Sequence, residues 1–147
     1  GAIHGRAKRV SNALKAWNVQ PGDRIATLAW NTADHIEAWY GIMGIGAVCH
    51  TLNPRLFPEQ LVYIINHAED RIIFVDLTFV PLLQAVLPHC PKVERVVVMT
   101  DRAHMPAVEL PAAATRLFDS SDTRHPDTHM AAYSCVVSLL SPDQERL

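Results

Sequence analysis

The sequence predicts an α/β fold, built as a parallel sheet of about four strands with helices on both faces in a doubly wound, Rossmann- or flavodoxin-like layer. Two observations predict it. Short apolar runs rich in Val and Ile alternate with longer segments whose apolar residues recur at helical spacing. Each interval between runs is long enough for a helical crossover, and such crossovers place successive strands in parallel.

The four expected strands cover residues 24–30, 48–52, 71–76 and 95–99, in the sheet order 2-1-3-4. The first follows a Pro-Gly turn and is almost unbroken in its apolar character, as is typical of a parallel strand covered on both faces. The second and third are bounded by Asn53-Pro54 and by Asp70-Arg71, which are residues that favour turns.

The intervening segments are predicted to be amphipathic helices. Residues 3–17 and the segment after Pro58 each place apolar side chains three or four positions apart. In the central helix, after Thr32, the apolar face is expected to be formed by Ile36, Trp39, Tyr40 and Met43, with Glu37 facing solvent. Trp17, Trp30 and Trp39 are interpreted as core residues.

The chain of 147 residues has the size of one domain. We expect residues 1–106 to form an α/β unit that is part of a larger N-terminal domain. Residues 107–147 are expected to be a divergent, weakly ordered tail, in which 133–140 form either a strand or a helical turn. The abrupt start at Gly1 is interpreted as a cut end.

Composition favours a cytoplasmic globular protein. The chain is 49% hydrophobic and 19% charged, with a formal net charge of −2, which gives no electrostatic reason to expect a nucleic acid partner. No apolar run has the length of a transmembrane segment. Cys49, Cys90 and Cys135 are widely spaced and odd in number, which favours reduced thiols.

Candidate binding residues follow the first two strands, because parallel sheets bind ligands at the carboxyl ends of their strands. Asn31 and Thr32 come after the first strand and Arg55 after the second, so together they could hold a phosphate or carboxylate. The favoured interpretation is that Asn31 and Thr32 cap a helix and Arg55 is solvated, since neither G-x-G-x-x-G nor G-x-x-x-x-G-K-[ST] occurs.

The eight histidines do not predict a metal site. His125 and His129 are four residues apart but flank Pro126, and no C-x-x-C spacing accompanies them. His35, near the start of the central helix, could be an acid–base group, although no nucleophile is identifiable beside it. We therefore predict no catalytic and no metal-binding residue in this chain.

Four segments carry a resemblance to a known family: PGDRIATLAWN, GAVCHTLNPRL, YIINHAEDRIIFVD and VVVMTDRAHMP. Over about residues 3–106 the sequence resembles the early part of fatty-acid–CoA ligases of the adenylate-forming AMP-binding superfamily. The resemblance implies a reaction in which ATP and a medium- or long-chain fatty acid form an acyl-adenylate with the help of magnesium. Coenzyme A then displaces AMP.

The departures from that family are equally specific. The sequence contains neither the family's Thr/Ser/Gly-rich phosphate loop, which ends in Pro-Lys-Gly, nor its Tyr-Gly-x-Thr-Glu segment. The family's ribose-binding Asp and its C-terminal domain with a catalytic Lys do not occur either. From about Ala107 the resemblance is expected to stop. We therefore expect no cofactor to bind this chain by itself, and no catalytic residue is carried over.

Three hypotheses remain open. The favoured one is a catalytically silent piece of a fatty-acid–CoA ligase, with exposed apolar surface that promotes self-association. The second is a free-standing α/β module that binds a nucleotide or an acyl ligand. The third is a structural or interaction piece that pairs with a full-length homologue.

Overall fold

The computed structural model describes residues 1–100 and residue 104, together with the backbone of two further short strands. Helices are α1 (Ala2–Ala16), α2 (Ala33–Met43), α3 (Pro58–Ala68) and α4 (Val80–Val86), the last flanked by the 3-10 turns Leu77–Phe79 and Leu87–His89. Strands are β1 (Arg24–Leu28), β2 (Val48–Thr51), β3 (Ile72–Asp76), β4 (Arg95–Met99), β5 (Ala113–Arg116) and β6 (Val136–Val137).

The strands form one sheet in the order β2-β1-β3-β4-β5-β6. β1 to β5 are parallel, and β6 pairs with β5 in the antiparallel direction. The predicted α/β class and the predicted order 2-1-3-4 are confirmed. Residues 136–137 form a strand, which is one of the two alternatives predicted for residues 133–140. The expectation of a weakly ordered tail otherwise concerns residues outside the described part of the chain and stays a prediction.

Helices cover both faces of the sheet and enclose two cores. On one face α1 and α2 pack against alternate side chains of the sheet, such as Ile25, Phe74 and Val97. On the other face α3 and α4 pack against the intervening side chains, such as Ala26 and Ile73. Since successive side chains of a strand point to opposite faces, strands buried on both sides need the nearly continuous apolar runs found in the sequence.

The predicted orientation of α2 is wrong. The side chains expected in the core point outward, and the exposed fractions are 41% for Ile36, 37% for Trp39, 60% for Tyr40 and 49% for Met43. The buried side of the helix is formed instead by His35, Glu37, Ala38, Gly41 and Ile42. α2 is apolar on both sides, so helical spacing alone does not reveal which side faces the sheet.

Close packing between α1 and α2 explains this orientation. A Cβ atom added to Gly41 would lie 2.4 Å from Val10 Cβ, so the two helices approach closely where α2 has no side chain. The Ser11 hydroxyl donates a 2.7 Å hydrogen bond to the Gly41 carbonyl oxygen. These contacts require the Gly41 side of α2 to face α1.

Glu37 does not face solvent as predicted but is fully buried. Arg6 Nε donates a 2.6 Å hydrogen bond to Glu37 Oε1, and the Arg6 side chain remains about one-quarter exposed. A buried carboxylate is tolerated when a cation and hydrogen bonds compensate its lost hydration. This ion pair is therefore a further contact that fixes α1 against α2.

Two of the three tryptophans expected in the core lie at the surface. Trp30 is about half exposed and its ring lies 4.8 Å from that of Phe79, whereas Trp39 is on the outer side of α2. Trp17 is partly buried, with the guanidinium of Arg95 4.4 Å from its ring centroid. β1 ends at Leu28, two residues before the predicted end, and the Thr32 amide then donates to the Trp30 carbonyl in a tight turn.

β2 lies at the edge of the described sheet, as the predicted order 2-1-3-4 implies, although its apolar sequence pattern is typical of a buried strand. It pairs with β1 alone among the described strands. Val48 is about half exposed, and no residue of the strand is classed as fully buried. The end of the sheet formed by β2 and α2 thus carries more apolar surface than its sequence pattern indicates.

Candidate functional site

The carboxyl edge of the sheet carries the predicted binding residues Asn31, Thr32 and Arg55. Trp30, Asn31 and Thr32 follow β1, Arg55 follows β2, and Asp76 ends β3. β1 lies between β2 and β3, so these three connections emerge side by side. This edge is the usual ligand position in parallel α/β sheets and is therefore the candidate site.

Thr32 is the N-cap of α2, and its hydroxyl oxygen accepts a 3.3 Å hydrogen bond from the His35 amide. The Thr32 side chain thus forms a hydrogen bond with one of the free amides at the helix N-terminus, which an anion would otherwise contact. Asn31 and Thr32 are both exposed.

Arg55 is exposed, and its backbone amide donates a 2.9 Å hydrogen bond to Asn53 Oδ1. Within the described part of the chain, no hydrogen bond or ion pair joins the Arg55 guanidinium to Asn31 or Thr32. The three candidate residues thus lie on neighbouring connections, and none of the described hydrogen bonds or ion pairs joins the Arg55 side chain to the other two.

His35 is the centre of a buried hydrogen-bond cluster beneath this edge. Its Nδ1 lies 3.0 Å from the Trp30 carbonyl oxygen, and its Nε2 lies 2.8 Å from Thr27 Oγ1. The Trp39 indole N–H donates to the same Nε2 at 2.9 Å. A carbonyl oxygen can only accept and an indole N–H can only donate, so the imidazole is neutral and carries its proton on Nδ1.

The electrostatics of the cluster agree with a neutral ring. Burial lowers the pKa of His35. The hydrogen bond to Trp30 and the charge of Asp76 raise this pKa and so oppose the effect of burial. Only 5% of the residue is exposed, and both ring nitrogens are engaged within the protein. The arrangement suits a positioning residue that joins β1 to α2, and it leaves no free nitrogen for acid–base work on a ligand.

Carboxylates dominate the charge around this cluster. Burial raises the pKa of Asp34, and the neighbouring charges of Glu37 and Asp76 raise it further, while Arg6 opposes them. Phosphate groups are bound by Arg, Lys and backbone amides that donate charge-assisted hydrogen bonds. The charged groups that act on Asp34 are thus mostly acidic, with Arg6 as the opposing cation.

A second polar pair, which was missed from the sequence, joins β2 to the turn between α3 and β3. His50 Nδ1 on β2 lies 2.7 Å from Asp70 Oδ2, immediately before β3, and the Asp70 side chain is fully buried. Asp70 Oδ1 has no hydrogen-bond partner. Twenty residues separate the two side chains, so no local spacing signals their contact.

The amino edge of the sheet has an open depression of about 300 Å³, lined by Arg24, Glu69, Arg71, Pro91, Lys92 and Glu94. Its charged groups already pair with one another: Glu69 contacts Arg24 and Lys92, and Arg71 contacts Glu94 and Asp23. The depression is an ion-pair network, at the edge opposite to the usual ligand position.

Within residues 1–100 and 104, no three His, Cys, Asp or Glu side chains lie close enough together to hold a metal ion. The candidate pair His125 and His129 falls outside the described residues. In the same part of the chain, none of the helices has the length and apolar character needed to cross a membrane.

Comparison with known families gives a match to the AMP-binding enzyme family over residues 2–137. The match extends beyond residue 106, where the resemblance was expected to end. It covers α1 to β5 and reaches the end of β6, so the whole described sheet falls inside the family match.

Several relatives are CoA ligases. A 3-methylmercaptopropionyl-CoA ligase of Ruegeria pomeroyi is 51% identical over 108 residues, which are 74% of this chain and 20% of the relative. A medium-chain-fatty-acid–CoA ligase of Ectopseudomonas oleovorans is 42% identical over 106 residues, which are 72% of this chain and 19% of the relative. The chain thus spans about a fifth of the length of these curated relatives.

Solved structures of CoA ligases are also similar to this chain. The anthranilate CoA ligase AuaEII in complex with anthranoyl-AMP superimposes with a TM-score of 0.64 at 29% identity, over 66% of this chain and 19% of that one. A benzoate CoA ligase of Burkholderia xenovorans has a TM-score of 0.61 at 25% identity, over 67% of this chain and 20% of that one. On this sequence and structural evidence, the chain belongs to the AMP-binding enzyme family.

Proposed function

We propose that the chain forms the N-terminal α/β segment of an ATP-dependent acyl-CoA ligase. Such an enzyme converts a carboxylic acid and ATP into an acyl-adenylate and pyrophosphate, and then transfers the acyl group to the thiol of coenzyme A. The observation that carries this proposal is the family match over 2–137, together with relatives that are CoA ligases at up to 51% identity.

We propose further that this polypeptide is catalytically silent by itself. At the carboxyl edge, Asp34 and Asp76 would repel a triphosphate, and His35 has both ring nitrogens bonded internally. The family's phosphate loop and catalytic Lys do not occur in the sequence. In phosphoryl and adenylyl transfer these groups supply most of the electrostatic stabilisation.

For the acid, we propose a medium- or long-chain fatty acid, supported by relatives from Ectopseudomonas oleovorans and Thermus thermophilus named for such substrates. A short thioether acid, 3-methylmercaptopropionate, is the second candidate because the 51%-identical relative is named for it. ATP, magnesium and coenzyme A would be partners of the whole ligase. We assign that ligase to the cytoplasm.

The first experiment tests the silent state. Pyrophosphate release and acyl-CoA formation are measured for the 147-residue chain with ATP, magnesium, coenzyme A and either decanoate or 3-methylmercaptopropionate. The full-length Ruegeria pomeroyi ligase serves as the positive control. We expect no turnover by the chain, whereas acid-dependent pyrophosphate release would contradict the proposal.

The second experiment tests the ligase assignment with a chimera. The aligned 108-residue segment of the Ruegeria pomeroyi ligase is replaced by the matching segment of this chain. A control chimera carries the same segment from the ligase of Ruegeria lacuscaerulensis, which is also similar to this chain. We expect CoA ligase activity in both chimeras. Activity in the control alone would contradict the assignment.

A further inference from the structure

The pair formed by His50 on β2 and Asp70 before β3 uses only one nitrogen of the imidazole. His50 Nδ1 lies 2.7 Å from Asp70 Oδ2, and 27% of the His50 side chain is exposed. Within residues 1–100 and 104, no hydrogen bond involves His50 Nε2, and the buried side-chain atoms without a partner are Glu37 Oε2 and Asp70 Oδ1. His50 Nε2 is therefore open to solvent.

Asp70 determines which nitrogen of His50 carries the proton. A carboxylate can only accept a hydrogen bond, so its contact with Nδ1 places the proton there and leaves a lone pair on Nε2. An imidazole is ordinarily more basic than a carboxylate, so the shared proton stays on the ring. Since Asp70 Oδ1 has no hydrogen-bond partner, the carboxylate acts through His50. In such pairs the buried carboxylate holds the tautomer and stabilises positive charge that develops on the ring.

The other titratable groups that act with Asp70 do not compete with His50 as nucleophiles. Burial raises the pKa of Asp70, whereas the hydrogen bond and charge of His50 and the charge of Arg24 lower it. Cys49 and Cys90 also interact with Asp70, and burial raises the pKa of both thiols. Because the thiolate is the nucleophilic form of cysteine, both thiols are held in the unreactive form.

Two other uses of such a histidine find no support in its surroundings. A general base needs a nucleophile beside it, but Cys49 and Thr51 alternate with His50 along β2 and point to the opposite face of the sheet. Carboxylate–histidine pairs also orient metal ligands, yet in the part of the chain that the structure describes no three His, Cys, Asp or Glu side chains could hold a metal ion. The imidazole itself is therefore the reacting group.

His50 lies on the side of the sheet that α3 and α4 cover, at the margin of the described sheet. Its register partner on β1 is Ala26, which belongs to the core on that side. Val48, two residues earlier in the outer strand β2, points to the same side and is 48% exposed. This margin thus combines an accessible imidazole lone pair with apolar surface.

We propose that His50 Nε2 is a modification site that accepts acyl groups from activated carbonyl compounds of the anhydride class, with Asp70 as its positioning residue. The Nε2 lone pair attacks the carbonyl carbon and forms a nitrogen–carbon bond. The bond from that carbon to the leaving oxygen breaks, and the leaving group departs with the electron pair. The Nδ1 proton passes to Asp70 Oδ2, so that neither a charged ring nor a buried carboxylate remains.

Diethyl pyrocarbonate, an anhydride that acylates the unprotonated nitrogen of imidazoles, is the probe. The 147-residue chain is treated at about pH 8, where ordinary histidines are neutral, and peptide mass spectrometry follows each histidine. His4, at an exposed position of α1, is the internal control. We expect His50 to react at least roughly tenfold faster than His4 although it is less exposed. A rate equal to or below that of His4 would overturn the proposal. The readout is independent of ligase activity.

The role of Asp70 is tested with Asp70→Asn, which keeps an oxygen that can accept from Nδ1 but removes the proton acceptor. We expect the rate of His50 in this variant to fall to about that of His4, whereas an unchanged ratio would overturn the positioning role. A measurement on the parent chain does not depend on the folding of the variant. Long-range proton–nitrogen NMR spectra should show the His50 proton on Nδ1, and a proton on Nε2 would overturn the proposal.

Discussion

Gly41 on α2 lies directly against Val10 on α1, so close that an added Cβ atom would be 2.4 Å from Val10 Cβ and 2.9 Å from the Ala7 carbonyl oxygen. This single contact explains much of the layer. It allows the side of α2 that carries Gly41 to pack against α1, which places Glu37 within reach of Arg6. The large apolar side chains of α2 consequently point outward.

Replacing Gly41 with alanine is therefore expected to destabilise the chain. The added methyl group cannot be accommodated without moving Val10 or the α1 backbone, and overpacking of this kind costs about 1–3 kcal/mol. The free energy of unfolding is measured by urea titration. Gly5→Ala in α1 is the matched control, since its Cβ would meet no atom within 4 Å.

At position 5 the same substitution should stabilise the chain by roughly 0.5–1 kcal/mol, because alanine loses less backbone entropy than glycine in a helix. Equal effects of the two substitutions would show that α1 and α2 do not approach closely at Gly41.

The sheet could be predicted from the sequence because its signals are local. The run Ile72–Val75 is apolar without interruption and stands between Asp70-Arg71 and Asp76, so burial on both faces and the strand limits are visible together. The same reasoning gave the order of the first four strands, since short helical crossovers leave few alternatives.

The candidate site could not be predicted in the same way, because its contacts join distant residues. His35 is eight residues from Thr27 and Glu37 is 31 residues from Arg6, and neither pair has a spacing that signals contact. The orientation of α2 depends on these pairs and on Gly41. Hydrophobic periodicity finds an apolar face but cannot choose between two of them.

Stability is expected to fall in mild acid because of His35. Burial lowers the pKa of His35 in the folded chain, so the unfolded chain binds the proton more readily. The contribution of neutral His35 to the free energy of unfolding is present in full above about pH 6.5, the ordinary pKa of histidine. It is lost as the pH falls below that value. A protonated Nε2 could no longer accept the Trp39 indole N–H.

Urea unfolding at about pH 8 and about pH 5.5 measures this effect. His35→Gln should be less stable than the parent at the higher pH and should depend less on pH. His4→Gln, at an exposed position of α1, is the control. A parent whose stability rises on acidification over this range would contradict the neutral, buried assignment of His35.

The pair formed by His50 and Asp70 should be strongly coupled. Burial raises the pKa of Asp70, and the hydrogen bond from His50 opposes this rise. His50→Ala leaves a buried carboxyl group without its partner and is expected to cost about 1–3 kcal/mol. Asp70→Asn keeps an oxygen that can accept from His50 and should cost less.

A double-mutant cycle isolates the interaction between the two side chains. His50→Ala should cost clearly less in the Asp70→Asn background than in the parent, because no buried carboxylate is then left unpaired. Strictly additive effects on the free energy of unfolding would show that the pair makes no net contribution.

Cys49 is expected to be an unreactive thiol. Burial raises the pKa of Cys49 to about 11, although the hydrogen bond with Thr27 acts in the opposite direction and lowers it. At about pH 8 the thiolate fraction would be roughly two hundredfold below that of an ordinary cysteine, and alkylation should slow accordingly. Iodoacetamide labelling of Cys49, followed by mass spectrometry, should accelerate up to about pH 11. Rapid modification near neutral pH would contradict the packing of the partly buried Cys49 against the core.

Thermal unfolding of the purified 147-residue chain, with and without ATP–magnesium, a fatty acid and coenzyme A, tests the central claim most directly. The full-length Ruegeria pomeroyi ligase is the positive control. We expect one cooperative transition whose Tm is unchanged by each ligand, as for a folded segment that binds none of them by itself. A saturable rise of several degrees with ATP or an acyl ligand would show a formed binding site and would contradict the account.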